Sequence, residues 1–181
     1  PMLNGVPIRL YVPGWEATYW VKALNEINGL PEKFKGFWMD KAYRVPTNRD
    51  CNESPKDLAK DTIPINGMTV RSLIVRPEPA EKVAAGAYEV QGIAIDSGKG
   101  ISKVEVSADG GKTWTDAKLD PALGKYSWRR WRYNWKPAVG KYTLMARATN
   151  AAGETQTTSQ WNRSGYARNV GLAFQIADDL I

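Results

Sequence analysis

The chain has 181 residues, 43% of them hydrophobic and 10% aromatic with eight Trp, enough apolar material for one full core and a fragment of a second. Its net charge of +6 is scattered rather than gathered into a nucleic-acid signature, and no run approaches the roughly eighteen apolar residues of a membrane span or has the layout of an export signal. His is absent, which removes the commonest general base, the commonest zinc ligand and imidazole ligation of haem.

The first block, Asn4 to Lys22, reads NGVPIRLYVPGWEATYWVK. Ile8, Leu10 and Val12 alternate with Arg9 and Tyr11, the period of a strand, and Pro13-Gly14 ends it in a turn. A short helix is expected around Thr18 to Ile27. Arg9 and Lys22 lie among apolar neighbours, and partly buried cations take anionic partners. Two readings stand side by side: Arg9 pairs with Glu16 while Lys22 reaches solvent, or both cations face an anionic ligand. In GFWMDKAYRVP, residues 36 to 46, Tyr43 is flanked by Lys41 and Arg44; it is either a packing residue at a domain edge or a phenol that hydrogen-bonds an oxyanion.

Residues 46–66 turn polar and aperiodic and read as a linker or surface arm. The lone Cys51 has no intrachain disulfide partner and, in TNRDCNESPKD, reads as a solvent-near thiol rather than a metal ligand. From Gly67 the pattern changes to short alternating strands parted by turn residues, as in an antiparallel sandwich. Strands are expected at Val70 to Val75, Tyr88 to Ile95, around Val104 and Val106, Thr113 to Ala117, Tyr126 to Trp135, Tyr142 to Thr149 and Val170 to Ile176. Asp109-Gly110-Gly111 supplies a hairpin turn. In SWRRWRYNWK, residues 127 to 136, Trp and Arg interleave; a single-stranded nucleic-acid platform uses the same residues, but guanidinium–indole stacking on the sandwich exterior or at a dimer contact is the favoured reading.

Several of these blocks carry a family resemblance. The order G-x-P-x-R, apolar stretch, P-G and a Lys eight residues after that Gly resembles the end of the molybdenum-cofactor domain in sulfite oxidases and bacterial sulfite:cytochrome c dehydrogenases. The stretches Val104 to Trp114, Trp128 to Trp131, Arg147 to Gln156 and Trp161 to Asn169 are similar to the immunoglobulin-like dimerisation domain that follows it. The resemblance implies a mainly β chain: an α+β tail of a molybdopterin-binding domain over residues 1–45, a linker over 46–66 and the sandwich over 67–181. It also implies that Arg9 and Lys22 contact the molybdopterin and that Asn4 stands where animal members have a cofactor-touching His. Tyr43, five positions after Trp38, falls at the active-site tyrosine by the same comparison. In animal members of the family an Arg of the turn WN-x-R-G reaches the sulfite pocket; the resemblance aligns Ser164 with that place and leaves Arg163, one position earlier, as a candidate for substrate contact. The thiolate that binds molybdenum lies earlier in that domain and does not match Cys51.

The expected activity is oxidation of sulfite to sulfate by a periplasmic homodimer, with electrons passed to a cytochrome c. A sulfane dehydrogenase or nitrate reductase shares both domains, and a cofactor-free sandwich binding module is the rival from another class.

Overall fold

The computed structural model describes residues 2–48, 51, 53–156 and 175–177. Their strands are β1 (Arg44–Pro46), β2 (Thr62–Pro64), β3 (Arg71–Arg76), β4 (Tyr88–Ile95), β5 (Ile101–Ser107), β6 (Thr115–Asp116), β7 (Lys118–Leu119), β8 (Arg129–Trp135), β9 (Tyr142–Asn150) and β10 (Gln175–Ala177). Two compact units divide them, with the change between Met68 and Thr69.

The second unit is the sandwich. Its sheets have the orders β10-β9-β5-β6 and β3-β4-β8-β7, and every ladder is antiparallel. Alternation along the strands explains why the sheets close on each other: Val90 and Ala94 of β4 and Trp131 and Trp135 of β8 point inward from one layer. Val104 and Val106 of β5 and Leu144, Ala146 and Ala148 of β9 meet them from the other. One polar link crosses this apolar core. The Gln156 carboxamide oxygen accepts the backbone N–H groups of Ser72 at 2.7 Å and Ala148 at 3.3 Å, while the Trp131 indole N–H donates to Ser72 Oγ at 2.9 Å. Buried polar atoms are costly unless paired in this way.

The expected strands are found among the described residues with two differences; of Val170 to Ile176 only Gln175 and Ile176 are described, in β10, and the rest lies outside the described residues. Thr113 to Ala117 is not one strand: Thr115–Asp116 pair with β5, and after Ala117 the chain joins the other sheet as β7 against β8. Tyr126 to Trp128 stay outside β8, where Ser127 N–H closes a turn onto Gly124 O at 3.2 Å. The Trp–Arg run also differs from the stacked exterior expected of it. Trp131 and Trp135 are core, Arg129 is held by backbone carbonyls, and Arg130 and Arg132 face Asp120. Among the described residues of this unit, guanidinium-on-indole stacking occurs elsewhere, with Arg147 4.2 Å from the Trp114 ring centre and its Nε donating to Glu105 at 2.8 Å.

The Asp109 turn is held by its carboxylate, which accepts the backbone N–H of Lys112 and Thr113, each at 2.9 Å, and the hydroxyls of Thr113 at 2.6 Å and Ser107 at 2.7 Å. The hydrogen bond from the Thr113 hydroxyl, backed by these others, holds the Asp109 carboxyl well below its ordinary range. A group with a depressed folded pKa adds stability above its unfolded pKa and loses it as pH falls toward the folded one. The sandwich should therefore lose stability on acidification below about pH 4, and Asp109→Asn should flatten that part of the Tm-against-pH curve; an unchanged slope would show that the turn makes no such contribution.

The first unit holds the single β1–β2 hairpin, paired Arg44 to Pro64, Val45 to Ile63 and Pro46 to Thr62. The described residues of the stretch 46–66, expected as a linker, belong to this unit. They fold back on Tyr43 and Arg44, and Ile65 N–H donates to Tyr43 O at 3.0 Å. Cys51 is likewise not solvent-near: it is fully buried with Val45 and Ile65, and its thiol donates to Pro46 O at 3.0 Å. Free Cys behaves as a small hydrophobe when it has such a place. No helix among the described residues is long and apolar enough to cross a membrane.

Candidate functional site

The cation-bearing block is an extended pair rather than the strand and helix expected of it. Leu10 N–H donates to Val21 O and Leu24 N–H to Ile8 O, both at 2.9 Å, so Ile8 to Leu10 run against Val21 to Leu24. Those two bonds satisfy the backbone that a helix over Thr18 to Ile27 needs, and helical structure shrinks to one 3-10 turn, Ala17–Tyr19. Pro13-Gly14 makes the turn between the arms, with Trp15 N–H on Val12 O at 3.2 Å and Gly14 at φ +77, where a type II turn requires glycine.

This pairing puts Arg9 opposite the Lys22-Ala23 step. Both cations are exposed, not partly buried as the sequence suggested. The Arg9 guanidinium lies 5.7 Å from the Trp20 ring centre, and that indole donates to Val12 O at 3.1 Å and packs on Tyr11. Arg9 does not pair with Glu16. Lys22 Nζ donates to Leu3 O at 2.8 Å, and its stem passes so close to Gly5 that a Cβ there would sit 3.2 Å from it. Asn4, exposed, closes the 3-10 turn Met2–Asn4 just before Gly5. The structure thus gathers Asn4, Arg9 and Lys22 on one paired segment, and among the described residues neither cation has a carboxylate partner. Gly5 opens the G-x-P-x-R pattern in the sequence, but its close approach to the Lys22 stem is visible only in the structure.

Tyr43 belongs to a different part of this unit. Residues Trp38–Ala42 form one turn of π-helix, in which Tyr43 N–H reaches back five residues to Trp38 O at 2.7 Å. The five-residue spacing read in the sequence is this turn, and it stacks the two rings with centres 5.2 Å apart and planes 26° apart. Half buried, the Tyr43 ring packs on Val45, Cys51 and Ile65. Of its flanking cations, Lys41 pairs with Asp40 at 3.3 Å, and Arg44 turns away to bond Thr62 through Nε and Nη2. A backbone route joins the two halves of the unit: Ile65 O accepts the Tyr19 hydroxyl, whose pKa burial raises, and Ile65 N–H meets Tyr43 O. Arg163 and Ser164 lie outside the described residues. No group of three or more Cys, Asp or Glu able to hold a metal occurs among the described residues.

Comparison with known families places both units. The Mo-co oxidoreductase dimerisation domain matches residues 62–177, and the oxidoreductase molybdopterin binding domain matches residues 1–38. Sulfite oxidase from Arabidopsis thaliana is 33% identical over 129 residues, 67% of this chain and 31% of the relative. The mitochondrial sulfite oxidase of Homo sapiens is 30% identical over 150 residues, 80% of this chain and 27% of that one.

This chain belongs to the sulfite oxidase family.

It spans only about a third or less of these curated family members. The family's fold is also found in the crystal structure of the sulfane dehydrogenase SoxCD from Paracoccus pantotrophus, which matches with a TM-score of 0.79 at 23% identity over 98% of this chain and 47% of that one. NADH nitrate reductase 1 from Arabidopsis thaliana, 32% identical over 127 residues (65% of this chain, 14% of that one), resembles the same stretch. The family is one of molybdopterin oxidoreductases.

Proposed function

We propose that this chain is part of a molybdenum-dependent sulfite dehydrogenase, in which sulfite and water give sulfate, protons and two electrons that pass singly to a cytochrome c in the periplasm. The similarity to sulfite oxidases over most of the chain supports the substrate. The dimerisation-domain match supports a homodimer formed through the sandwich.

The observation that carries the reading is the pairing of Arg9 against Lys22 with no carboxylate among the described residues on either. Two exposed cations and the Asn4 carboxamide form a donor set suited to the phosphate tail of a pterin, and they fit that group. Arg9 supplies a planar fork and Lys22 a mobile point charge, complementary ways of holding phosphate oxygens. When bound, the molybdenum cofactor supplies the two-electron redox chemistry. Its thiolate ligand is proposed to lie outside this chain, because Cys51 is buried on a backbone carbonyl. Large apolar side chains left exposed here, Ile8 at 62%, Ile27 at 78%, Phe34 at 60% and Phe37 at 62%, support the same reading, since such surface is normally covered by further protein.

Tyr43 is proposed as the residue whose hydroxyl meets substrate oxygens. The π-turn supports this, because such turns recur at functional sites and this one fixes the ring on Trp38. Its packing on Val45, Cys51 and Ile65 supports the plainer role.

One set of variants of the full-length enzyme tests both assignments. Arg9→Ala and Lys22→Ala should each lower pterin occupancy, because a charge-assisted contact contributes about 1.5–3 kcal/mol; full occupancy with unchanged turnover would remove them from the site. Tyr43→Phe, normalised to molybdenum content, should lower sulfite turnover efficiency by roughly tenfold or more if the hydroxyl positions substrate. Equal efficiency would return the residue to packing.

A further inference from the structure

The sandwich unit holds a cavity of about 400 Å³ remote in sequence from Arg9 and Lys22, between the turn at 96–100 and the loop at 121–128. That volume lies in the range of small-molecule sites. Buried Ile95 and Ile101 give it an apolar floor.

Its walls are built to stay open. The Asp96 carboxylate accepts the backbone N–H groups of Gly98 at 3.0 Å and of Lys99 and Gly100 at 3.1 Å, which fixes the turn and occupies the one acid lining the cavity. Gly98, at φ +103, lets the loop come against that turn: a Cβ there would meet the Tyr126 ring at 2.5 Å and the Lys125 stem at 3.0 Å.

Three cations line the space, and their partners differ. Lys99 is already paired with Glu154 at 2.6 Å. Arg129 is half buried and anchored by backbone carbonyls alone, with Nε on Asp120 O at 2.9 Å and Nη1 on Ile101 O at 3.3 Å. Those bonds orient the guanidinium without neutralising it. Lys125 lies 5.3 Å from the Tyr126 ring centre, and among the described residues neither it nor Arg129 has a carboxylate partner. Two unbalanced positive charges above an apolar floor complement a dianionic head on a short hydrocarbon body.

We propose that this cavity is a binding site for a small phosphate monoester, with the phosphate on Arg129 and Lys125 and the ester chain over Ile95 and Ile101. A phosphate monoester carries close to two negative charges at neutral pH, and an Arg fork engages its oxygens in pairs. A carboxylate offers one charge and leaves one cation unmatched.

Calorimetric titration of the full-length protein with butyl phosphate tests the assignment, with pentanoate as the monoanion of similar body and butylammonium as the cation. The expected result is saturable binding of butyl phosphate in the millimolar range or tighter, roughly tenfold weaker for pentanoate and absent for butylammonium. Lys125→Gln should weaken it about tenfold. This side chain is exposed and its contacts are the Tyr126 ring and the Gly98 turn, neither a hydrogen bond, so the variant folds even if Arg129→Gln, which releases two backbone carbonyls, does not. Arg9→Ala should leave the Lys125-dependent part of the binding unchanged, which separates this site from the cofactor segment. No saturable binding, equal binding of pentanoate, or binding lost in Arg9→Ala and kept in Lys125→Gln would each overturn the proposal.

Discussion

Trp131→Ala should cost the sandwich about 3–5 kcal/mol, the range for emptying a large aromatic site in a packed core. The indole is fully buried at the centre of β8 and lies across Gly92 of β4 to Ser72 of β3, so no neighbour can fill the space without moving a strand. It also leaves Ser72 Oγ without the indole N–H donor it now accepts at 2.9 Å. Trp131→Phe separates the two losses, because it keeps most of the volume and removes only the hydrogen bond, worth about 0.5–1.5 kcal/mol. Urea unfolding of the full-length protein, followed through the transition that reports the sandwich, measures both. A loss under about 1 kcal/mol for the Ala variant would contradict the packing described, given the size of typical large-to-small penalties.

The second large effect comes from adding one atom group rather than removing many. Gly92 sits in β4 directly opposite Trp131, and a Cβ on it would lie 2.1 Å from the indole Cζ2 and 2.3 Å from Leu73 O. Gly92→Ala should therefore destabilise the unit by 1–3 kcal/mol or more, by forced displacement in a well-packed sheet. Trimming the indole does not rescue it. The double variant Gly92→Ala with Trp131→Leu relieves the first clash and keeps the second, since Leu73 O is backbone of β3 and moves only with its strand. Stability restored to the level of Trp131→Leu alone would show that the carbonyl can give way.

What could be read from the sequence follows from how local each cause is. Tyr88 to Ile95 is a strand with the expected ends because period-two alternation and the Asp96-Ser97-Gly98 turn are both written there. Asp109 marks its turn for the same reason: the carboxylate bonds residues three and four places on. The first unit was harder. Ile8, Leu10 and Val12 alternate like a strand, but the pairing partner is Val21 to Leu24, a stretch whose Trp20, Val21 and Leu24 look helical in isolation. Residues 46–66 are polar enough to read as a linker, and only the separated Val45, Cys51 and Ile65 show that they close a small core. Trp131 and Arg130 look equivalent in composition; which is core depends on register against β4. The cations of the candidate site were legible as residues, whereas their exposure and lack of a carboxylate were not, because those depend on the segment folding back on itself.

Ala117 stands alone between β6, which belongs to one sheet, and β7, which belongs to the other, with its own N–H on Val104 O at 2.8 Å. A single residue therefore stitches the layers together at their edge: they cannot part there without tearing the short ladder on one side of it. The amide of Ala117 should accordingly exchange with solvent more slowly than those of the exposed turns beside it, because its bond to Val104 O must open first.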